Sequence, residues 1–240
     1  MFKRTHHQAI EQVLRLMNAE LLKAHRCYFG GGTAIALQYG EYRESVDIDF
    51  MVSDVPSYRA MRTLVRESGN VLVLFKDNTT LVSQLREVRA DQYGIRTAIG
   101  LGRHMIKFEI VLEGRIEFDT PSDDDTVCGV TALSSVDLVA SKLLANSDRW
   151  ADEGVFNRDL IDLAMMNPAH DAFAKACAKA ETAYGASIRQ DLEKAIGKLL
   201  DKPDWLEKCM RAMNMNDTAP AVVATAVLSL RNILKKINGT

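Results

Sequence analysis

One short stretch constrains this chain more than any other. Cys27-Tyr28-Phe29 is a brief apolar run that stops at Gly30-Gly31-Gly32, and Thr33 then opens a helical pattern through Tyr39. After thirteen intervening residues comes Asp47-Ile48-Asp49, inside the alternating run Val46 to Val52. Glycines free of Cβ allow a turn and a close backbone approach that other residues resist. Threonine directly after them suits a helix N-cap. The alternation and β-branched content of residues 46–52 predict a strand. On a strand, positions i and i+2 share a face about 6–7 Å apart. Asp47 and Asp49 therefore aim two carboxylates at one place, while Ile48 and Phe50 face the core.

Two carboxylates that close repel, so either one stays protonated or a cation lies between them. Hard oxygen donors favour Mg²⁺ or Mn²⁺, which keep positions open for substrate phosphates. Gly31 and Gly32 let phosphate oxygens approach backbone N–H groups, and a helix N-terminus starting at Thr33 favours an anion. Together these features describe a metal–nucleoside triphosphate site. The spacing alone is weak: Asp123 and Asp125 repeat it in the acidic loop 119–125, where it reads as a plain loop.

Around this stretch the chain divides in texture. A helix with one buried face is predicted over residues 6–26, from Ile10, Val13, Leu14, Met17, Leu21 and Leu22. Pro56 suits the first turn of a helix ending near Gly69. Strand-like patterns follow at 71–75, 86–90, 95–100, 105–112 and 115–118, with 91–94 as a hairpin turn and 81–89 also compatible with a helix. After Ser134 strand signals cease, and helices are predicted near 135–149, 155–166, 169–183, 185–200, 203–214 and 219–237. The expected fold class is an α/β (α+β) domain with a mixed sheet over residues 1–130, followed by an all-helical domain over 131–240 that contributes to the active-site cleft.

Composition narrows the function. Thirty Lys+Arg against 32 Asp+Glu leave a net charge of -2, which argues against coating nucleic acid by bulk charge. Residues 1–43 lean basic, with Lys3, Arg4, Arg15, Lys23, Arg26 and Arg43 against Glu11, Glu20 and Glu41. Arg231, Lys235 and Lys236 form a small basic patch that helix-dipole complementarity also explains. Cys27, Cys128, Cys177 and Cys209 form no C-x-x-C pair, so a zinc clasp is not expected. His6-His7 read as solvated residues at a helix start. No signal-peptide pattern or membrane-length apolar run is present, so the expected compartment is the cytoplasm, without membrane association.

Gly31-Gly32-Thr33 followed by Tyr42-Arg43-Glu44-Ser45-Val46-Asp47-Ile48-Asp49-Phe50 resembles the signature of DNA polymerase β-type minimal nucleotidyltransferases, and within them the AbiEii/AbiGii toxin family. A second stretch, Asp137 to Ala145 with Lys142, then Arg149 and Arg158-Asp159-Leu160-Ile161-Asp162-Leu163, is similar to that family's second signature. The resemblance covers residues 29–50, the strand at Glu109 and residues 137–163. It implies a nucleotidyltransferase fold, two Mg²⁺ (or Mn²⁺) ions and transfer of an NMP from an NTP. It also implies catalytic roles for Asp47, Asp49, Glu109, Lys142 and Asp159. Asp47, Asp49 and Glu109 would hold the metals, and Gly31, Gly32, Thr33, Arg43, Ser45 and Lys142 would hold the nucleotide.

Several of these positions carry a plainer alternative. Glu109 stands where the family more often has Asp; it either completes the metal site or is an exposed strand residue paired with Lys107. Lys142 either contacts triphosphate or lays its stem along an apolar helix. Arg43 either contacts triphosphate or braces its loop, and Asp162 either serves the site or holds Arg149 or Arg158. The resemblance suggests an RNA acceptor, tRNA in particular, and the toxin of a bacterial toxin–antitoxin or phage-defence pair with a cognate antitoxin protein. Transfer to a protein or to a small molecule such as an aminoglycoside, or a non-catalytic nucleotide-binding role, are the alternatives.

Overall fold

The computed structural model describes residues 2–77 and 79–239, except for the side chain of Pro203. The chain forms two compact units, one of Met1–Gln38 with Ser45–Ser134 and one of Tyr39–Glu44 with Ser135–Thr240.

The first unit begins with α1 (Thr5–Leu16) and α2 (Ala19–Ala24), then β1 (Tyr28–Gly30), α3 (Gly31–Gln38), β2 (Asp47–Val52) and α4 (Val55–Ser68). A 3-10 turn (Val71–Leu74) leads to β3 (Val82–Gln84), β4 (Arg89–Ala90), β5 (Gly94–Leu101) and β6 (His104–Leu112), with a short hairpin of β7 (Thr126–Val127) and β8 (Val130–Thr131). Six strands make one mixed sheet in the order β1-β2-β6-β5-β3, with β4 also on β5. β2 and β6 run parallel and the other pairs are antiparallel. The expected mixed sheet is thus observed. Alternation decides its faces: Ile48, Phe50, Val52, Ile106, Phe108 and Ile110 are fully buried. Phe50 packs between Phe29 and Phe108, with ring centroids 5.6 and 6.0 Å away. At about 1.5–3 kcal/mol per large apolar side chain, this one face anchors β2 and β6.

The helix over 55–68 forms as expected, with Asp54 accepting from the Ser57 N–H at 2.7 Å and Gly69 ending it. Other expectations are corrected by tertiary or local hydrogen bonds. The helix predicted over 6–26 is two helices, because Asn18 caps α2 through the Leu21 N–H and gives its own N–H to Leu74 O. Residues 71–74 are a 3-10 turn and not a strand: Asn70 accepts from the Leu72 N–H, and Gln84 takes the Val71 N–H. Residues 115–118 form no strand, since Arg115 folds back on Glu113 and the Phe118 N–H goes to Ser53 Oγ. Residues 81–89 are extended around β3, not helical.

The second unit is helical: α5 (Ser135–Arg149), a 3-10 turn (Glu153–Val155), α6 (Arg158–Met166), α7 (His170–Tyr184), α8 (Ser187–Leu200), α9 (Pro203–Ala212) and α10 (Pro220–Asn238). α5 packs against α6, α7 and α8, and α10 against α6 and α8. Leu143, Leu160, Phe173, Leu192 and Val227 are fully buried at their centre. Residues 39–44 belong to this unit, so the chain passes between the units more than once. Among the described residues no helix is long and apolar enough to cross a membrane.

Candidate active site

The carboxylates come together on the face of the sheet opposite the phenylalanine core. Asp47 and Asp49 occupy half-buried positions of β2 that alternate with its buried ones. In the parallel β2–β6 pair Asp49 is the register partner of Glu109, and Asp47 of Lys107. Neighbouring strands lie about 4.7–4.9 Å apart, so all three acids share one patch of one face. The hydrophobic period that buries Ile48 and Phe50 is what turns these side chains outward.

The glycine turn lies against this patch. Gly30 pairs with Asp49 across β1–β2, and Gly31 adopts φ +68°, in the left-handed region. A Cβ placed on Gly31 would stand 2.5 Å from Asp49 Oδ2 and 2.9 Å from Asp49 Cβ. The close approach, as much as the dihedral, therefore demands glycine here. α3 starts at Gly31 itself, two residues before the expected cap. Thr33 is consequently not an N-cap: fully buried in the first turn, its hydroxyl donates to Asp47 O at 2.5 Å and lies 2.8 Å from Ser45 Oγ, which donates to it. This ties the helix start to the entrance of β2. Gly31, Gly32 and Ser45 remain half-buried.

Two histidines brace the same entrance. His7, expected in solvent, is fully buried, and its Nε2 accepts from the Ser45 N–H at 3.1 Å. That bond requires the neutral ring with its proton on Nδ1. His6 Nε2 lies 3.0 Å from Val46 O. No spacing motif marks His7; only its place on the buried stripe with Ile10 and Leu14 hinted at burial. The other Asp-x-Asp pair is a turn fitting, with Asp125 accepting from the Ser122 N–H and hydroxyl and Asp123 facing Lys23 at 3.3 Å.

Glu109 is not alone on its strand. Its Oε1 lies 3.1 Å from Lys107 Nζ and 3.4 Å from Arg96 Nε. Among the described residues no three His, Cys, Asp or Glu side chains close into a metal cage. The donor set nevertheless fits Mg²⁺ or Mn²⁺. Such ions take one or two carboxylates and fill the remaining positions with water and substrate phosphate. Asp47 and Asp49 offer hard oxygens on one face, beside the turn at Gly31, where a Cβ would run into Asp49.

The second unit carries its own polar cluster. Asp162, fully buried, accepts from Arg43 at Oδ1 (2.6 Å) and Oδ2 (2.9 Å) and from the Tyr42 hydroxyl. Lys142 Nζ lies 2.7 Å from Asp162 Oδ2 and 2.9 Å from Asp159 Oδ1. Arg149 grips both oxygens of Asp159, at 2.7 and 3.0 Å. Burial works against the charges on Asp159 and Asp162, but the cations beside them outweigh it and hold both carboxyls below the usual range. Burial and then the Asp162 charge push the Tyr42 phenol well above its ordinary value.

Three cations against two carboxylates leave one positive charge in surplus. Arg43 donates to Asp162 and to Glu44 O within the unit, which is the loop-bracing geometry. Asp162 holds Arg43 and Lys142, not Arg149 or Arg158.

Comparison with known proteins gives the family and the fold. Residues 14–225 match the family described as nucleotidyl transferase AbiEii toxin, type IV TA (toxin–antitoxin) system. The crystal structure of JHP933 from Helicobacter pylori superposes with a TM-score of 0.56 at 18% identity, covering 97% of this chain and 94% of that one. The crystal structure of a putative nucleotidyltransferase from H. pylori gives a TM-score of 0.52 at 16% identity over 97% of both chains. No curated protein matches the sequence. The solved structures speak for the fold, and the family match over most of the length decides the kinship: the chain belongs to the AbiEii nucleotidyltransferase toxin family.

Proposed function

We propose that this chain moves a nucleoside monophosphate from a metal-bound NTP to a hydroxyl of an RNA acceptor, tRNA foremost, as the toxic half of a toxin–antitoxin pair in the cytoplasm. The observation that carries the reading is the approach of Asp49 onto the Cβ-less Gly31. It sets a hard carboxylate oxygen against the half-buried glycine turn at a helix start, the pairing a metal-bound triphosphate needs.

In the reaction an acceptor oxygen bonds to the α-phosphorus, the bond to the bridging oxygen breaks, and pyrophosphate departs. Asp47 and Asp49 would hold the metals, two in this reading, with Glu109 beside them. Bound Mg²⁺ or Mn²⁺ would activate the attacking hydroxyl and neutralise charge on the leaving group. Gly31 and Gly32 offer N–H groups to the triphosphate, and the Ser45 hydroxyl stands at the cradle's edge, steadied by Thr33 and His7. Glu109 would accept the acceptor's proton once a bound substrate draws Lys107 and Arg96 away from it. By the resemblance Lys142 would neutralise charge on the triphosphate; its buried ammonium lies 2.7 Å from Asp162 and 2.9 Å from Asp159.

The test incubates the protein and an Asp49→Ala variant with each α-labelled NTP, Mg²⁺ and total RNA. Label on RNA with the unaltered protein alone supports the proposal, and EDTA should abolish it. Label on protein or on a small molecule replaces the acceptor. Thermal stabilisation by nucleotide without transfer replaces catalysis by nucleotide binding. Rescue of growth by a neighbouring small open reading frame tests the antitoxin partner.

A further inference from the structure

Beside the carboxylates the same sheet face carries charge of the opposite sign. Asp49, Glu109, Arg96 and Arg89 are successive register partners across β2, β6, β5 and β4. With about 4.7–4.9 Å per strand step, the row runs from acid to base over roughly 14 Å. Its basic end opens into a groove of about 580 Å³ lined by four cations, Arg86, Arg89, Arg96 and Lys107, against two acids, Glu87 and Glu109, with Met105 also in its lining.

The groove is built for a strand that is anionic along its backbone and apolar on its faces. Arg86 and Arg89 are exposed and, among the described residues, neither is ion-paired. Lys107 and Arg96 both flank the carboxylate of Glu109, and Arg96 also reaches Asp91 at 3.3 Å, so the uncompensated positive charge lies at Arg86 and Arg89. The groove also has an apolar element: Met105, in its lining, is 57% exposed, and Leu85, 50% exposed, lies beside it. Leu85 lies across Gly100, the register partner of Met105, where a Cβ would stand 3.1 Å from a Leu85 methyl. An exposed apolar element beside guanidinium groups suits nucleobases and phosphodiesters together.

We infer that this groove seats the single-stranded end of the RNA acceptor, with Arg86 and Arg89 on its phosphodiesters and its terminal hydroxyl directed to the Asp49–Glu109 end of the row. The inference rests on the proposed reading of the protein as an RNA-directed nucleotidyltransferase. It also answers the -2 net charge, because binding draws on a local stripe and not on the charge of the whole chain.

The test measures binding of a short fluorescein-labelled single-stranded RNA, without NTP, as a function of KCl, for the full chain and the double variant Arg86→Ser/Arg89→Ser. Each phosphate contact contributes about 0.7 to the slope of log K against log salt for single strands. The variant should lose about 1.4 from that slope, which corresponds to about 25-fold weaker binding at 0.1 M salt. Its KM for RNA in the labelling assay should rise with kcat little changed, while stabilisation by Mg-NTP stays as in the unaltered protein. A DNA strand of the same sequence is the second arm, and tighter RNA than DNA binding identifies RNA as the occupant. An unchanged affinity and slope in the double variant overturns the groove, as does DNA bound equally or more tightly. Absence of label on any acceptor, with RNA binding still groove-dependent, would sink the enzymatic reading instead.

Discussion

Gly31→Ala is the most demanding single test of the site. Two separate costs arise there. The backbone lies at φ +68°, where an L-residue costs about 1–2 kcal/mol. The new methyl would also stand 2.5 Å from Asp49 Oδ2 and 2.9 Å from Asp49 Cβ, and overpacking of that kind costs about 1–3 kcal/mol. The sum, about 2–5 kcal/mol, is a large share of the roughly 5–15 kcal/mol by which domains are stable. Gly102 supplies the control. Its φ is +56°, yet a methyl added there would meet nothing within 4 Å, so Gly102→Ala should bear the dihedral cost alone. Urea unfolding of both variants isolates the close-approach part as their difference. Relief by rotation of Asp49 would move the loss from stability to chemistry, so NMP transfer is measured alongside. Should Gly31→Ala equal Gly102→Ala in stability and also transfer at the unaltered rate, the glycine is not there for Asp49, and the site argument fails.

Asp162→Asn should destabilise by about 3–5 kcal/mol in a urea melt, because Arg43 and Lys142 stay buried without that counter-charge. The exposed Arg158→Ala should change stability by less than about 0.5 kcal/mol, and equal losses would refute the assignment. Stability should fall with acid: Asp159 and Asp162 have lowered carboxyl values, so their contribution is complete above about pH 4 and is lost as pH drops through the folded values. At the alkaline end burial raises the thiols, Cys128 to about 11 and Cys177 and Cys209 to about 12. Stability is therefore highest below the ordinary thiol value near 9 and is lost from there through 11–12, which a denaturation series across pH will read. His7→Phe strands the Ser45 N–H at a cost of about 1–3 kcal/mol and should raise KM for NTP, both measurable beside the unaltered protein.

Much of the first unit was legible because its signals are local. A period of two on residues 46–52 separates the acids from Ile48 and Phe50, and Pro56 in the first turn and Gly69 at the end bound α4 without help from the rest of the chain. What escaped depends on distant partners. The apolar spacing runs unbroken through Met17, so the break between α1 and α2 cannot be seen until Asn18 meets Leu74. Val71 to Leu74 has strand-forming composition but obeys Asn70 and Gln84. Arg43 sits beside the signature aspartates in sequence, and only the fold reveals that its partner is Asp162. His7 looked solvated because a polar side chain at a helix start usually is, and nothing near it foretells a bond to Ser45.

The excursion of Tyr39–Glu44 bears on how this gene can be divided. A fragment stopped at residue 134 would carry Tyr42 and Arg43 stripped of the carboxylate that accepts from both, and one started at residue 135 would hold Asp162 without its guanidinium. Six residues stitched out of the stretch between glycine turn and aspartate strand thus make the halves obligate co-tenants of one polypeptide, to be inherited, expressed and folded as a whole.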